Sequence, residues 1–426
     1  MSRPWPESAR PISAVKLAMQ STSSADQDFS LESTGMLWHL RTNLLIQTQK
    51  STDAVATIEE LAVHDAAVLN ELPIILYWSL DNELEASGKS RLRQRLLSIL
   101  ATSYAPLNPA ESVDEFRRNY AKMLVADGDR NGAAGIIARI RETSTLVKMM
   151  FDTDMAPLLP DGFDPRAHAE QRLSEIKQLV VQYPRSLGLL INQASYEAAL
   201  GRPEQALATL DRFDPAAPDA SNYTDLADKL PWWWNERAGA FGDLGRYDEE
   251  VAALRAGTVY HEHGSVNVSQ VINLSSVQMI NGRFDDALDT LAPLDRPGRP
   301  VSEYGEMQLR SVKACSLILS GHAQAADADA DYVAGHEADS RRAAMVLSLC
   351  KGDIDGAAAI IIRWLNTPFE GQDALIALSE FDPGTAKEPP FEWKKFKSEL
   401  MARADIQAAV KAAGGTKRIH LRTANF

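Results

Sequence analysis

Residues 186–213 read SLGLLINQASYEAALGRPEQALATLDRF. Leu187, Leu190, Ile191, Ala194 and Ala198 recur at intervals of three and four, the spacing of one helix face. Gly201 and Arg202 interrupt that pattern, and Pro203 and Glu204 open a second, shorter helix carrying Ala206, Leu207 and Leu210. This stretch therefore predicts a helix, a tight turn and a second helix folded back on the first.

The same pattern returns on both sides. Residues 231–257, PWWWNERAGAFGDLGRYDEEVAALRAG, turn at Gly245, and residues 268–294, VSQVINLSSVQMINGRFDDALDTLAPL, turn at Gly282. Weaker copies turn at Gly321 and at Gly352, the latter in LSLCKGDIDGAAAIIIRWL, and a more distant one at Gly128 in NYAKMLVADGDRNGAAGIIARI. With the turn glycine numbered fifteenth, the eighth position is small in Ala121, Ala194, Ala238, Ser275 and Ala314. The twentieth is alanine in Ala133, Ala206, Ala287, Ala326 and Ala357. Small residues are needed at both positions because the two helices of a hairpin approach closely there.

These segments resemble the tetratricopeptide repeat, a helix-turn-helix unit of about 34 residues. The resemblance covers roughly residues 110–365. Trp234, Phe241 and Tyr247 fall at the family's bulky positions, whereas Glu250 stands where a second-helix alanine is expected, a departure that should loosen one hairpin. Irregular spacing between turn glycines predicts loop insertions, chiefly at 214–231 and 293–303. A degenerate unit fits between Gly128 and Gly201, pairing LVKMMFDTDMAPLL with AHAEQRLSEIKQLVVQYP.

The resemblance implies an all-α fold, a right-handed superhelical solenoid of hairpins with helical caps at both ends. The expected layout is a flexible leader over 1–34, an α-helical region over 35–109 that is either a cap or further degenerate repeats, the solenoid over 110–365, capping helices over 366–413, and a basic tail over 414–426. By resemblance the function is a non-catalytic protein-protein interaction scaffold. Some members of the family clamp chaperone C-termini through Lys and Asn at the fifth and ninth positions of successive first helices. Here those positions hold Ile191 and Ser195, Asn235 and Gly239, Ile272 and Ser276, Ser311 and Cys315, so the clamp is absent. The candidate groove of Trp232, Asn235, Ile191, Ser195, Ile272 and Ser276 is mixed polar and apolar, and suits an extended or amphipathic partner segment.

Composition narrows the partner. The chain has 426 residues, 45% of them hydrophobic and 24% charged, with a net charge of −14. Residues 385–426 carry nine Lys/Arg against four Asp/Glu, so the rest of the chain is more acidic still, at −19. An acidic surface repels phosphate, which argues against nucleic acid and anionic membrane and for a basic partner. The tail reads either as a cap docked on the acidic body or as a terminal helix with solvated lysines and a frayed end. Only two cysteines are present, which points to a reducing compartment. Neither an N-terminal apolar run nor a spanning segment is found, so the expected location is the cytoplasm.

Candidate chemistry is sparse. Asp127, Asp129, Asn131 and Gly132 mimic the start of a calcium loop, but Ala138 stands where the bidentate carboxylate belongs, so the run reads as a repeat turn. Asp327, Asp329 and Asp331 diverge around a helix and read as a solvated face. His261, Glu262 and His263 lack a third ligand and read as loop residues. Cys315 and Cys350 fall at the ninth and thirteenth positions of neighbouring first helices, about 6 Å out of register on axes about 10 Å apart, which predicts two free thiols. With no nucleophile, phosphate-binding or metal motif in the sequence, no cofactor is expected.

Trp232, Trp233 and Trp234 span about 200° of a helix, so one of them should face a groove or solvent. The repeat register puts Trp234 in the hairpin core and Trp232 on the concave side. The other reading has Trp232 and Trp233 covering the preceding insertion. Two alternatives to the scaffold remain: a helical-repeat sensor or enzyme with a small-molecule site in 35–104, and a periplasmic assembly factor.

Overall fold

The structure is a computed structural model and describes residues 31–260, 266–295, 301–367, 370–384, 386 and 390–423. The leader up to residue 30, the His261–Glu262–His263 run and the last three residues lie outside the described residues. Among the described residues the fold is all-α apart from one pair of two-residue strands. No described helix is long and apolar enough to cross a membrane.

The chain divides into two compact units. The first holds residues up to Met149 together with Asp154–Asp161, and the second holds Met150–Thr153 and everything from Gly162 onward. In the first unit, α1 (Leu31–Gln47), α2 (Ser51–His64), α3 (Ala66–Glu71), α4 (Ile74–Ala86) and α5 (Ser90–Thr102) precede the hairpin of α6 (Asp114–Ala126) and α7 (Arg130–Ile137), which is followed by α8 (Thr143–Met149). Its core gathers Leu61, Tyr77, Leu80, Leu97 and Phe116, with Trp78 stacked on Phe116 at 3.9 Å. Tyr77 donates its hydroxyl to Leu69 O at 2.8 Å, and Arg93 clasps Asp81 at 2.7 and 3.1 Å, so these two buried polar groups are paired.

The second unit opens with α9 (Pro165–Gln182) and then runs as hairpins. These pair α10 (Leu187–Ala199) with α11 (Pro203–Leu210), α12 (Leu226–Asp243) with α13 (Tyr247–Thr258), and α14 (Val268–Ile280) with α15 (Phe284–Leu291). Next come α16 (Glu303–Leu319) with α17 (Asp327–Gly335), and α18 (Arg341–Cys350) with α19 (Ile354–Leu365). First helices α10 and α12, α14 and α16, and α16 and α18 pack directly on one another, whereas α14 packs on α13, the second helix of the preceding hairpin, and meets α12 through the Asn235–Asn273 hydrogen bond. Of residues 146–159, expected to pair with 167–184 as one degenerate hairpin, 146–149 and 154–159 fall in the first unit, and 150–153 fall in the second with 167–184.

All six turn glycines named from sequence are left-handed, with φ from 70° at Gly245 to 87° at Gly321, a conformation that side chains disfavour. All ten small residues at the eighth and twentieth positions are buried. Asp129 and Asp353, each one residue after a turn glycine, accept from the backbone N–H of Gly132 and Gly356 at 2.8 Å and cap α7 and α19. The calcium-like run is therefore a helix cap.

Three expectations are corrected. Cys315 and Cys350 form a disulfide, with Cα atoms 5.4 Å apart, in place of two free thiols. Helices α16 and α18 pack closely at small residues, where the Ser311 hydroxyl reaches the Ala343 carbonyl at 2.9 Å, and this brings the two cysteines within disulfide reach. Asp329 is buried, not solvated, because Arg310 at 2.8 Å and Lys313 at 3.5 Å reach it from α16. Trp233, not Trp234, is the tryptophan that enters the core.

After α19 the chain continues through α20 (Gly371–Leu378), β1 (Glu380–Phe381), α21 (Trp393–Met401), α22 (Ala404–Ala412) and β2 (Arg418–Ile419). Helices α21 and α22 pack on α19, and β2 pairs parallel with β1, Glu380 opposite Arg418 and Phe381 opposite Ile419.

Candidate functional site

The first helices position the sequence-predicted residues. Three helical stripes run along them at spacings of three and four: Ile191, Ser195 and Ala199 on α10; Trp232, Glu236, Gly239 and Asp243 on α12; Ile272, Ser276 and Ile280 on α14. Trp232 is 46% exposed. Its neighbour Trp233 is 2% exposed, donates Nε1–H to Leu210 O at 3.2 Å and meets Phe213 edge-on at 5.3 Å. Phe213 in turn meets Tyr223, so Trp233 closes the insertion between α11 and α12. Arg237 lies over the Trp233 ring at 4.9 Å and pairs with Asp211.

Asn235 is partly buried and accepts from Asn273 Nδ2 at 2.8 Å, which ties α12 to α14. Ile191 and Ser195 are partly buried on α10. Ser276 returns its hydroxyl to Ile272 O at 2.7 Å, and Ile272, 7% exposed, offers the least surface of the six. The structure thus joins Asn235 to a neighbouring first helix and leaves Trp232 standing out beside it.

Sequence reasoning missed the acidic part of this region. Glu236 is partly buried; burial pushes its carboxyl up to about 7, against a hydrogen bond from Ser195 and with Asp243 adding to the rise. Burial, with Asp243 again contributing, also raises Glu250 to about 7. The Glu250 carboxylate fits because Gly242 opposite has no side chain, so the unexpected residue is matched by a missing one. The available signal was Gly242 three residues before the turn glycine, with Glu250 five residues after it.

The C-terminal ends of the stripes are occupied by the chain's own terminal segment. Arg422 donates its backbone N–H to Ala199 O at 2.8 Å and its Nη2 to Asp243 Oδ1 at 2.7 Å. Phe391 donates its backbone N–H to Ile280 O at 3.1 Å. Arg166 of α9 reaches both His420 O at 3.2 Å and Leu200 O at 3.3 Å. Arg166 thus sets a positive charge at the C-terminal carbonyls of α10, where unpaired acceptors and the helix dipole favour it, and the Arg422 and Phe391 backbone N–H groups satisfy the Ala199 and Ile280 carbonyls. The tail is docked, with Ile419 and Leu421 buried.

No protein-family model matches the chain, and no curated protein matches it. Among solved structures it is similar to the Cut9-Hcn1 hetero-tetramer of the APC/C, at 14% identity over 95% of this chain and 82% of that one, with a TM-score of 0.32. It is also similar to yeast Tom70, at 11% identity over 95% and 96%, TM-score 0.23. A third is the TPR domain of P58(IPK), at 14% identity over 88% and 98%, TM-score 0.21.

Proposed function

We propose that the chain is a non-catalytic protein-protein interaction scaffold whose first helices α10, α12 and α14 receive a basic or amphipathic segment of a partner protein. The observation that carries this reading is Trp232, a tryptophan left nearly half exposed on the stripe that also bears Glu236 and beside the Asn235–Asn273 bond between neighbouring first helices. Exposed aromatics flanked by fixed polar groups are frequent anchors of interfaces. The net charge of −14 favours a partner of opposite sign and makes capture salt-sensitive.

The test compares the full-length protein and Trp232→Ala, each immobilised and exposed to lysate at low salt, with retained proteins identified by mass spectrometry. Retention by the wild type, lost in the variant at an unchanged melting temperature, is the expected result. Identical retention by both proteins overturns the groove.

The disulfide favours a second reading, the periplasmic assembly factor. With Cys315 and Cys350 joined, the small number of cysteines no longer argues for a reducing compartment. Thiol-trapping in intact cells decides: a bonded pair supports an oxidising compartment, and two alkylated thiols rule it out.

A further inference from the structure

The terminal segment shows what kind of chain the end of the groove accepts. Residues Lys417–Arg422 read KRIHLR, with Arg418 and Ile419 in the strand β2 and a bend over His420–Arg422. Their main chain pairs with the strand after α20: Glu380 N–H donates to Lys417 O at 2.9 Å and Asp382 N–H to Leu421 O at 2.8 Å. Ile419 and Leu421 point into the protein and are buried, whereas Arg418 and His420, on the opposite face, remain exposed. Arg422 then enters a seat made by Asp243, the Ala199 carbonyl and Gly384, where a β-carbon at residue 384 would lie 2.5 Å from its guanidinium nitrogen.

The means of attachment is consistent with exchange. Gly414 and Gly415 join this segment to α22 with φ of 108° and 85°, two consecutive residues in the region glycine favours, so the link is a natural hinge. The strand pairing is two residues long. The Arg422–Asp243 pair bridges 179 positions and keeps some solvent access on both sides, so competing charge can reach it. Withdrawal of Arg422 removes the cation paired with Asp243 at 2.7 Å and so favours the entry of another cation.

We infer that Lys417–Arg422 is a displaceable occupant of the C-terminal end of the groove, and that it gives way to a partner segment of its own pattern: two buried apolar side chains alternating with polar or basic ones, and ending in arginine. The inference rests on the groove reading above and adds the partner's chemistry. While the segment is docked it lowers the apparent affinity of any competitor by the fraction of time the seat is free.

The probe is a fluorescent peptide of residues 415–423, GTKRIHLRT, titrated into the full-length protein and followed by anisotropy. The wild type should bind it weakly, and Leu421→Glu, which loosens the tail without touching the seat, should bind it at least roughly tenfold more tightly. Adding Asp243→Lys to that variant should abolish the gain. A folded Leu421→Glu protein that binds no better than the wild type overturns the inference, as does a dimer on light scattering that takes no peptide, because the seat then serves a second copy.

A second version survives misfolding of the variant. A protease site inserted between Gly414 and Gly415 of the full chain is cut after folding, and the protein is gel-filtered with excess peptide. Replacement of the tail by the peptide supports exchange; a tail that stays bound overturns it. Both readouts report on the Asp243 end, whereas the groove reading fails only when Trp232→Ala leaves partner capture unchanged, so the two failures are distinguishable.

Discussion

The carboxylate of Glu250 on α13 occupies the space directly over Gly242 of α12: a β-carbon built on residue 242 would lie 2.7 Å from Glu250 Oε1. A repeat that lacks its second-helix alanine therefore keeps its hairpin by removing a side chain from the first helix. The pair is energetically coupled, which a double-mutant cycle measures. Gly242→Ala should gain about 1 kcal/mol of helix propensity in a Glu250→Ala background. In the wild type most of that gain should disappear, because the new methyl displaces a largely desolvated carboxylate. Equal effects of Gly242→Ala in the two backgrounds, by urea unfolding, would remove the coupling.

Glu236 and Glu250 both titrate near 7, above the ordinary carboxylate value of 4.5. Between about pH 4.5 and 7 the folded state therefore binds more protons than the unfolded state, and stability falls as pH rises through that window. The melting temperature should be higher at pH 5.5 than at pH 8, corresponding to about 1 to 3 kcal/mol. Glu250→Gln should flatten the profile. A profile that rises with pH and is unchanged in this variant contradicts the assignment.

The Cys315–Cys350 bond closes a loop across 35 positions and joins two neighbouring first helices. Loop-closure entropy gives such a link about 4 kcal/mol. Because each hairpin touches mainly its neighbours, the loss should fall on α16 to α19. Reductant, and the double variant Cys315→Ala with Cys350→Ala, should lower the urea midpoint alike, and hydrogen exchange should rise over residues 303–365 first. Uniform acceleration across the second unit would mean that its hairpins unfold as one.

Asp129 and Asp353 make the same cap on α7 and α19, so both should respond alike to substitution. Asp→Ala at either position should cost about 1 kcal/mol, and Asp→Asn only a few tenths. Gly356→Ala should cost at least as much as losing the Asp353 cap, since its β-carbon would lie 2.2 Å from the Asp353 carboxylate. Chemical denaturation of the five variants beside the wild type checks the order.

The sequence by itself determined the hairpins. A turn glycine, a small residue seven positions before it and an alanine five positions after it lie within thirteen residues of one another, and the forces they report, left-handed backbone and close helix approach, act over that same short range. That is why Gly128, Gly201, Gly245, Gly282, Gly321 and Gly352 could all be named in advance, and why Trp232 could be singled out as a candidate for exposure.

Only the tertiary structure decided the rest. Whether Trp233 or Trp234 enters the core depends on where Phe213 and the Leu210 carbonyl come to lie, and Asp329 is buried because Arg310 and Lys313 arrive from another helix. The Cys315–Cys350 bond depends on an interhelical distance set by Ser311 and Ala343, and the Arg422–Asp243 pair on a return of the chain to hairpins it left long before. Such outcomes follow from the rotation and spacing of packed helices, which a one-dimensional pattern of residue types leaves free.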